Sequence, residues 1–314
     1  MGAALALGER ARGRTAPNPN VGCVIVRDNH VVGRGWTQPG GRPHAEAMAL
    51  AQAGEAARGA TAYTTLEPCA HESARGPACT DSLIACRVAH VVIALRDPDP
   101  RTDGRGIARL REAGIAVTTD IRSADAARSM AGFLTRRAHG RPAVTLKLAT
   151  SLDGCIALAD GTSRWITGLR ARAHAHLERA RHEAILVGRG TLDADAPRLD
   201  VRLAGLEDRT PRRILLSASD APGWTRIASA RAIADLDGVD HLLVEGGAHT
   251  AAAFLRADLV DRLLLYRAPI LLGGRPGLAD LGLATLDPAH GRWNLHDARM
   301  LGSDRIEVYE RARG

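Results

Sequence analysis

The chain has 314 residues, of which 45% are apolar, 25% are charged and 3% are aromatic, and its formal net charge is +7. This length suits two domains of ordinary size, and the lack of any apolar run of about eighteen residues argues against a membrane span. The basic charge is compatible with a nucleic-acid partner, but the arginines are scattered and aromatic side chains for stacking on bases are scarce. We therefore predict a small phosphorylated ligand, with no nucleic acid and no membrane as partner.

The N-terminus and the cysteines predict a cytoplasmic protein. The first eight residues lead directly into Glu9 and Arg10 without a convincing cleavable signal sequence. Five cysteines, an odd number, argue against the paired disulfides of a secreted protein. Three of them, Cys23, Cys86 and Cys155, are predicted to be free thiols with no role in the chemistry.

The first part of the chain alternates between helical and strand-like patterns. In chain order we predict a helix over 2–12, a hairpin of strands 21–26 and 31–35, a helix over 44–54, a strand over 60–66, a helix over 79–86, a strand over 88–95, a helix over 106–113, a strand over 115–118 and a helix over 124–137. Helices and strands of this length in alternation predict a three-layer α/β domain.

A second α/β domain is predicted after a linker, His-Gly-Arg-Pro, at residues 139–142. The predicted domains are therefore 1–140 and 141–314. The elements expected in the second are strands over 143–148 and 156–158, a helix over 169–181, strands over 184–187, 213–216 and 241–244, a helix over 248–256 and a strand over 262–266.

One histidine, two cysteines and one glutamate predict a metal site in the first domain. His44, Cys69 and Cys79 offer an imidazole and two thiolates, and three protein ligands leave the fourth position of a tetrahedral zinc ion open for water, as in catalytic sites. Glu46 is then the candidate that carries protons from water to a leaving amine. The pattern favours a zinc-dependent deaminase over a structural zinc site or a metal-free core.

A glycine-containing turn in the second domain is a weaker signal. Residues 244–250, Val-Glu-Gly-Gly-Ala-His-Thr, lie between a predicted strand and a predicted helix. Glycines there let a phosphate approach backbone N–H groups at the start of the helix. An ordinary strand-to-helix connection uses glycines as well, and no Gly-x-Gly-x-x-Gly pattern follows the first strand, so this turn alone does not predict a dinucleotide-binding domain.

Short motifs are spread along nearly the whole chain. They are NPNVGCV at 18–24, HAE at 44–46, LEPCAH at 66–71, DPDP at 97–100, GRG at 104–106, SLDG at 151–154, WIT at 165–167 and VEGG at 244–247. Together they resemble the bifunctional deaminase-reductases of riboflavin biosynthesis.

This resemblance implies a fold, two reactions and two cofactors. The expected fold is α/β, with an N-terminal cytidine-deaminase-like domain and a C-terminal dihydrofolate-reductase-like domain. The first domain is expected to use Zn²⁺ to deaminate 2,5-diamino-6-(5-phosphoribosylamino)pyrimidin-4(3H)-one, and the second to use NADPH to reduce the ribosyl group to ribityl. The implied partner is thus a phosphorylated pyrimidine, and we expect a homo-oligomer.

The resemblance also assigns residues to roles. In the deaminase domain the resemblance implies that Glu46 is catalytic and that zinc is bound by His44, Cys69 and Cys79. The residues expected to contact the substrate there are Asn18, His71, Arg75, Asp97 and Asp99. In the reductase domain the residues expected to contact the cofactor are Thr150, Trp165, Thr191, Asp195, Gly247, Ala248, His249, Thr250, Ala251, Ala252 and Ala253. Those expected to contact the substrate are Ser163, Arg179, Leu199, Arg202 and Glu245. Arginine suits this last role because planar, bidentate donors hold phosphate well.

The chain departs from the family pattern in several places. The loop over 70–78 is one residue longer, and Asp99 stands where asparagine is usual. Cys155 replaces the usual lysine or arginine after Leu-Asp-Gly. The segment between Leu216 and His241 is short, although it has to supply the strand and loop that hold the adenosine end of the cofactor.

Two alternative functions stay open from the sequence. One is a nucleoside or tRNA deaminase with an appended domain. The other is a non-catalytic partner protein that keeps zinc for folding.

Overall fold

The computed structural model describes residues 1–71 and 76–313, and the chain divides into two units, Met1–Gly140 and Arg141–Gly314. Each unit has its own hydrophobic core. One buried cluster runs from Leu5 to Phe133, and another runs from Val144 to Val260. Each unit is therefore stabilised by a core of its own.

In its described residues, the N-terminal unit is built on one five-stranded sheet. The strands are β1 (Gly22–Arg27), β2 (His30–Trp36), β3 (Thr61–Thr64), β4 (His90–Ile93) and β5 (Ala116–Thr118), in the order β2-β1-β3-β4-β5. β1 pairs antiparallel with β2 and β3, whereas β3, β4 and β5 are parallel. The helices are α1 (Gly2–Ala11), α2 (Ala45–Ala53), α3 (Cys79–Ala85), α4 (Arg105–Glu112), α5 (Ser123–Ser129) and α6 (Ala131–His139), with 3-10 turns at Pro39–Gly41 and Gly54–Ala57.

Helices α1 and α2 lie on opposite faces of this sheet. A Cβ on Gly22 would overlap the carbonyl oxygen of Ala4 in α1, and a Cβ on Gly35 would overlap that of Ala45 in α2. Gly35 pairs with Cys23, the neighbour of Gly22. Because adjacent strand residues point to opposite faces, the two glycines admit the two helices from opposite sides. This is the three-layer order that the sequence predicts.

Among the residues described, the C-terminal unit has a mixed eight-stranded sheet and a small two-stranded one. The strands are β6 (Ala143–Thr150), β7 (Cys155–Ala157), β8 (Ala184–Gly188), β9 (Arg212–Leu216), β10 (Thr225–Ile227), β11 (His241–Val244), β12 (Val260–Arg267), β13 (Arg275–Pro276), β14 (Trp293–Leu301) and β15 (Asp304–Arg311). The orders are β10-β9-β8-β11-β6-β12-β15-β14 and β13-β7. The helices are α7 (Leu169–Arg179), α8 (Arg189–Asp195) and α9 (Ala248–Arg256), with 3-10 turns at Glu207–Arg209, Ala230–Asp235 and Asp287–Ala289.

The centre of the large sheet determines where a ligand can bind. β6, β8 and β11 are parallel neighbours, and β8 and β11 are buried along their whole length. Nearly continuous apolar runs of this kind are typical of parallel strands that are covered on both faces. The carboxyl ends of these strands meet at one edge of the sheet, which is where open α/β sheets bind ligands.

The structure differs from the predicted elements in two respects. The helix predicted over 124–137 is two helices, because Met130 between them has φ −100° and ψ 19° and is fully buried in the core. The sequence patterns also missed α8, β10, β13 and the hairpin of β14 and β15. β14 is an edge strand whose side chains are largely exposed, so it lacks the apolar alternation that identifies a half-buried strand.

Nowhere in 1–71 and 76–313 does a helix combine the length and the hydropathy needed to cross a membrane.

Candidate functional sites

The three predicted metal ligands lie together in the N-terminal unit. His44 immediately precedes α2, Cys79 is the first residue of α3, and Cys69 lies in the segment after β3. Nδ1 of His44 is 3.3 Å from Sγ of Cys79 and 3.7 Å from Sγ of Cys69. All three ligand atoms lie within 4.8 Å of one another. Residues that are far apart in the sequence therefore form one cluster.

The donor set of this cluster fits zinc. Thiolate and imidazole are ligands that Zn²⁺ prefers, and three of them leave a position open. The backbone N–H of Cys79 donates a hydrogen bond to Sγ of Cys69 over 3.2 Å. A hydrogen bond from the Cys79 thiol, together with His44, lowers the pKa of Cys69 to about 4 in spite of its burial. A thiolate is the form that binds a metal, so Cys69 is prepared for a cation, whereas its hydrogen bond with Cys69 and its burial raise the pKa of Cys79.

Glu46 lies next to the cluster. It is in the first turn of α2 and only 4% exposed. Burial raises the pKa of its carboxyl group, an effect that the charge of His44 partly opposes, and the carboxyl group also interacts with the Cys79 side chain. A carboxyl group with a raised pKa is suited to both accept and donate a proton near neutral pH.

Replacing Cys79 by serine is expected to remove most of the bound zinc, because a neutral hydroxyl takes the place of one of two thiolates. Elemental analysis of the purified variant measures this directly. The matched control is Cys155→Ser, which changes a buried thiol of the C-terminal unit and should keep its zinc. A full zinc content in the Cys79 variant would show that this thiol is not a ligand.

A cavity of about 170 Å³ opens beside the cluster. His44, Cys69 and Glu46 line it, together with four of the predicted substrate contacts, Asn18, His71, Asp97 and Asp99. Nδ2 of Asn18 is 3.2 Å from Nε2 of His44 and donates to the carbonyl of Gly41 over 2.8 Å. The fifth predicted contact, Arg75, lies outside the described residues.

Both aspartates of the cavity are engaged by neighbours. Asp99 accepts hydrogen bonds from Nε and Nη2 of Arg101 at 3.0 and 2.7 Å and from Nη2 of Arg137 at 2.8 Å. Arg101 is the chief cause that lowers the pKa of Asp99. Asp97 accepts the Asp99 N–H at 2.9 Å, but burial raises the pKa of Asp97 to about 6. The carboxylate of Asp99 is thus already paired with two guanidinium groups.

Sequence reasoning missed three arginines that line the cavity, Arg42, Arg101 and Arg137. Arg101 directly follows the Asp-Pro-Asp-Pro motif, so its position in the sequence could have indicated that it lies near Asp99 in the site. Arg137 is 38 residues away from Asp99 and near the end of α6. No pattern in the sequence indicates that its side chain reaches this site.

In the C-terminal unit, two predicted substrate contacts form a buried ion cluster with a lysine. Arg179, at the end of α7, donates to both carboxylate oxygens of Glu245 at 2.8 and 2.9 Å. Nζ of Lys147, in β6, is 3.6 Å from the same carboxylate, whose side chain is 6% exposed. Burial opposes ionisation, but Lys147 and Arg179 lower the pKa of Glu245 to about 2. Glu245 directly follows β11, at the edge where the parallel strands have their carboxyl ends.

The turn between β11 and α9, predicted to bind the cofactor, is tight and has backbone donors. A Cβ on Gly246 would lie 2.5 Å from Cβ of Thr250, so the turn has room only for glycine there. The N–H of Gly247 donates to Oγ1 of Thr191 in α8 at 3.1 Å. The N–H groups of the first turn of α9, at 248–250, have no carbonyl acceptor within the helix, and such groups are ready donors to an anion.

The other predicted cofactor contacts lie around this edge or inside the helix. Thr150 ends β6 and is buried, whereas Trp165 is 65% exposed and has the guanidinium of Arg172 4.5 Å from its ring centroid. Nη2 of Arg164 donates to the carbonyl of Asp195 at 2.8 Å. Within α9 the side chains of Ala251 and Ala252 are fully buried, those of Ala248 and Ala253 are half-buried, and His249 is exposed.

The remaining predicted substrate contacts differ in exposure. Leu199 is buried against the core at a φ of 55°. Arg202 is exposed, and its Nε lies 3.3 Å from the carboxylate of Asp200. The carbonyl of Asp200 accepts a hydrogen bond from Arg179 at 3.1 Å, which joins this segment to the Glu245 cluster. Ser163 is half-buried in the segment between β7 and α7.

Two protein-family models match the chain. Residues 1–95 match the cytidine and deoxycytidylate deaminase zinc-binding region, and residues 142–304, more than half of the chain, match the RibD C-terminal domain. The riboflavin biosynthesis protein RibD of Escherichia coli strain K12 is 39% identical over 355 residues, covering 97% of this chain and 96% of that protein. The chain belongs to the RibD family. The resemblance predicted from the motifs is therefore confirmed.

Other relatives agree along the full length. RibD of Aquifex aeolicus strain VF5 is 36% identical and covers 99% of this chain and 97% of that one. The solved structure of Acinetobacter baumannii RibD, form 1, is 35% identical with a TM-score of 0.87, covering 100% of this chain and 98% of that chain. A Thermotoga maritima structure, described as a diaminohydroxyphosphoribosylaminopyrimidine deaminase/5-amino-6-(5-phosphoribosylamino)uracil reductase, is 30% identical with a TM-score of 0.86 and coverages of 99% and 97%. These matches confirm an α/β chain in which a domain of the cytidine and deoxycytidylate deaminase type is followed by a RibD C-terminal domain.

Proposed function

We propose that the protein is a bifunctional enzyme of riboflavin biosynthesis. First, 2,5-diamino-6-(5-phosphoribosylamino)pyrimidin-4(3H)-one is hydrolysed to 5-amino-6-(5-phosphoribosylamino)uracil and ammonia. The ribosyl group of this product is then reduced to ribityl with NADPH. The observation that supports the proposal most is the cluster of His44, Cys69 and Cys79 beside the buried carboxyl group of Glu46 in one cavity.

In the deaminase site, the chain's own groups hold the ring and move protons. Zn²⁺ bound by His44, Cys69 and Cys79 would activate water for attack on the ring carbon that bears the amino group. The Glu46 carboxylate accepts a proton from water as the carbon–oxygen bond forms and donates it to the adjacent ring nitrogen. It then accepts the remaining hydroxyl proton and donates it to the amine, so that ammonia leaves and the carbonyl forms as the carbon–nitrogen bond breaks. Because Glu46 is only 4% exposed, bulk water has little access to the proton that its carboxyl group carries between steps.

In the reductase site, the turn at 247–250 is proposed to bind a phosphate of the cofactor, and the ion cluster is proposed to hold the substrate. NADPH, if bound there, would supply a hydride for C1 of the opened ribose. Arg179 has planar donors that suit a phosphate or a sugar hydroxyl. Glu245 holds both cations in place. Its carboxylate accepts two hydrogen bonds from Arg179 and lies 3.6 Å from Nζ of Lys147.

Replacing Arg179 by alanine is expected to destabilise the C-terminal unit by about 3 kcal/mol, because buried Glu245 would keep Lys147 as its single close cation. The pKa of Glu245 is about 2, below its ordinary value of 4.5. Its stabilising contribution is therefore fully present above about pH 4.5 and is lost as the pH falls towards 2. The difference in unfolding free energy between wild type and variant should shrink in that window.

Urea unfolding of the C-terminal unit as a function of pH measures this difference. Exposed Arg231→Ala is the matched control, for which we expect no measurable change. A loss that is as large for Arg231→Ala as for Arg179→Ala, or a difference that does not depend on pH, would contradict the assigned role of the Glu245 cluster.

The proposed function is tested by incubating the purified protein with the diaminopyrimidinone phosphate, with and without NADPH, and identifying the products by mass. Ammonia and the uracil product are expected without NADPH, and the ribityl product with it. Turnover of free nucleosides or anticodon stem-loops, and none of the pyrimidine phosphate, would favour the nucleoside or tRNA deaminase instead. Background turnover that is equal for wild type and Glu46→Gln would indicate a non-catalytic zinc protein.

Assembly and location are also part of the proposal. The edge strand β14 exposes Leu295 at 54% and Met300 at 60%, and an exposed apolar edge strand is a place where a second chain can pair. This supports a homo-oligomer, which the molar mass from light scattering would decide. A cytoplasmic location rests on the cysteine usage, and fractionation of cells would check it.

A further inference from the structure

The cavity of the N-terminal unit has cationic side chains on its exposed side and acidic ones inside. Arg101 and Arg137 are 61% and 43% exposed, whereas Glu46, Asp97 and Asp99 are 4%, 7% and 4% exposed. All five line the same cavity. An anionic group that approaches from solvent therefore meets guanidinium groups first.

Two of the three lining arginines are held by a carboxylate. Arg101 binds Asp99 through two nitrogens, at 3.0 and 2.7 Å, and Arg137 binds it at 2.8 Å. We call Asp99, Arg101 and Arg137 the Asp99 group. Its two positive charges and one negative charge give a net charge of +1. Its position is fixed, because the accepting carboxylate is buried.

The third arginine, Arg42, is different. Its guanidinium has no hydrogen-bond or ion-pair partner anywhere in residues 1–71 and 76–313. It is two residues before the metal ligand His44, so its backbone is anchored at the cluster. A Cβ on Gly76 would lie 3.1 Å from Nη1 of Arg42, which places the guanidinium against Gly76, near the start of α3. An unpaired, half-buried guanidinium in a cavity has donors available for a ligand.

We propose that Arg42 determines the specificity of the deaminase site for a phosphomonoester, by binding the phosphate of the pyrimidine substrate. This inference rests on the proposed function. Arg42 and the Asp99 group together contribute a charge of about +2, which matches the −1.5 to −2 of a phosphomonoester near pH 7. Arg42 supplies planar, bidentate donors, and the Asp99 group adds attraction without giving up its own ion pairs.

The other acidic lining residues, Glu46, Glu67 and Asp97, are buried and lie away from the exposed arginines of the rim. The carboxylate of Glu67 is buried and accepts hydrogen bonds from the N–H groups of Asp97, Gly104 and Ile107 at 3.3, 3.0 and 3.1 Å. Its charge is thus compensated by the backbone. Glu46 and Asp97 are 4% and 7% exposed, so their carboxyl groups lie inside the cavity and not on its exposed side.

The test compares the phosphorylated substrate with the same compound after phosphatase treatment, using ammonia release by the zinc-loaded full-length protein. Arg42→Ala should raise KM for the phosphorylated substrate by about tenfold to a hundredfold, the size expected for charge-assisted hydrogen bonds, and change kcat by less than about twofold. KM for the dephosphorylated compound should not change. Arg42→Lys should fall between wild type and the alanine variant, since it keeps the charge but loses the bidentate fork.

The matched control is Arg111→Ala, because Arg111 is an exposed arginine of α4 that does not line the cavity, and its KM should equal that of wild type. Zinc content and circular dichroism show whether each variant is folded. An unchanged KM in Arg42→Ala, or an equal rise of KM for both compounds, would overturn the phosphate role.

A binding measurement separates this inference from the proposed function. Calorimetric titration with ribose 5-phosphate should show weaker binding to Arg42→Ala than to wild type and Arg111→Ala, whereas ribose should show no such difference. If wild type releases no ammonia from the pyrimidine phosphate, the proposed function fails, and the calorimetric comparison still tests Arg42. Equal affinity of wild type and Arg42→Ala for ribose 5-phosphate would then overturn the inference.

Discussion

Replacing Glu46 by glutamine is expected to lower the rate of ammonia release by at least ~10²-fold, and up to ~10⁴-fold, while zinc binding is retained. The amide has nearly the same shape as the carboxyl group but cannot accept the proton of water or deliver it to the leaving amine. Because Glu46 is proposed to move protons in more than one step, its replacement should slow each of those steps. The measurement is kcat for deamination, with zinc content determined on the same sample.

Glu55→Gln is the matched control for this variant. Glu55 is exposed in the 3-10 turn that follows α2, so the same chemical change there should leave kcat unaltered. A loss of less than about tenfold in Glu46→Gln, with zinc bound and the fold intact, would remove Glu46 from the proposed mechanism. A loss of zinc in this variant would instead show that the Glu46 carboxylate helps to hold the metal.

Removal of zinc is expected to abolish deamination and to leave NADPH-dependent reduction of the deaminated substrate largely unchanged. The reason is that His44, Cys69 and Cys79 lie in the unit 1–140, whereas Lys147, Arg179 and Glu245 lie in the unit 141–314. The proposed hydride transfer needs a bound nicotinamide and a positioned sugar, and neither requires a metal. A chelator such as 1,10-phenanthroline, followed by separate assays of the two reactions, measures the difference.

Addition of zinc after chelation should restore ammonia release, which shows that the loss was due to the metal and not to damage. The complementary variant is Arg202→Ala, which is expected to weaken reduction and leave ammonia release unchanged. If chelation stopped both reactions equally while circular dichroism showed an intact fold, the two reactions would have to share one site. That result would contradict the assignment of one reaction to each unit.

The sequence by itself determined the chemistry of the first site and most of the fold. The site combines one histidine with two cysteines, His44, Cys69 and Cys79, which is a characteristic set of zinc ligands. Each of them lies in a short motif, so their association was predicted without knowledge of the packing. Buried strands such as β8 and β11 were found because continuous apolar runs identify them locally. The alternation of helices with strands predicted α/β units for the same reason.

The tertiary structure alone decided which charges meet. Arg137 reaches Asp99 across 38 residues, and Arg179 reaches Glu245 across 66, and no local pattern specifies such pairs because they depend on how helices pack against a sheet. The same holds for Arg42, because only the structure shows that its side chain has no partner among the described residues, 1–71 and 76–313. β14 was missed because an exposed edge strand is defined by its backbone pairing with β15 and not by an apolar face. Sequence patterns report local periodicity and rare chemistry, whereas ion pairs between distant segments are determined by the packing of the whole unit.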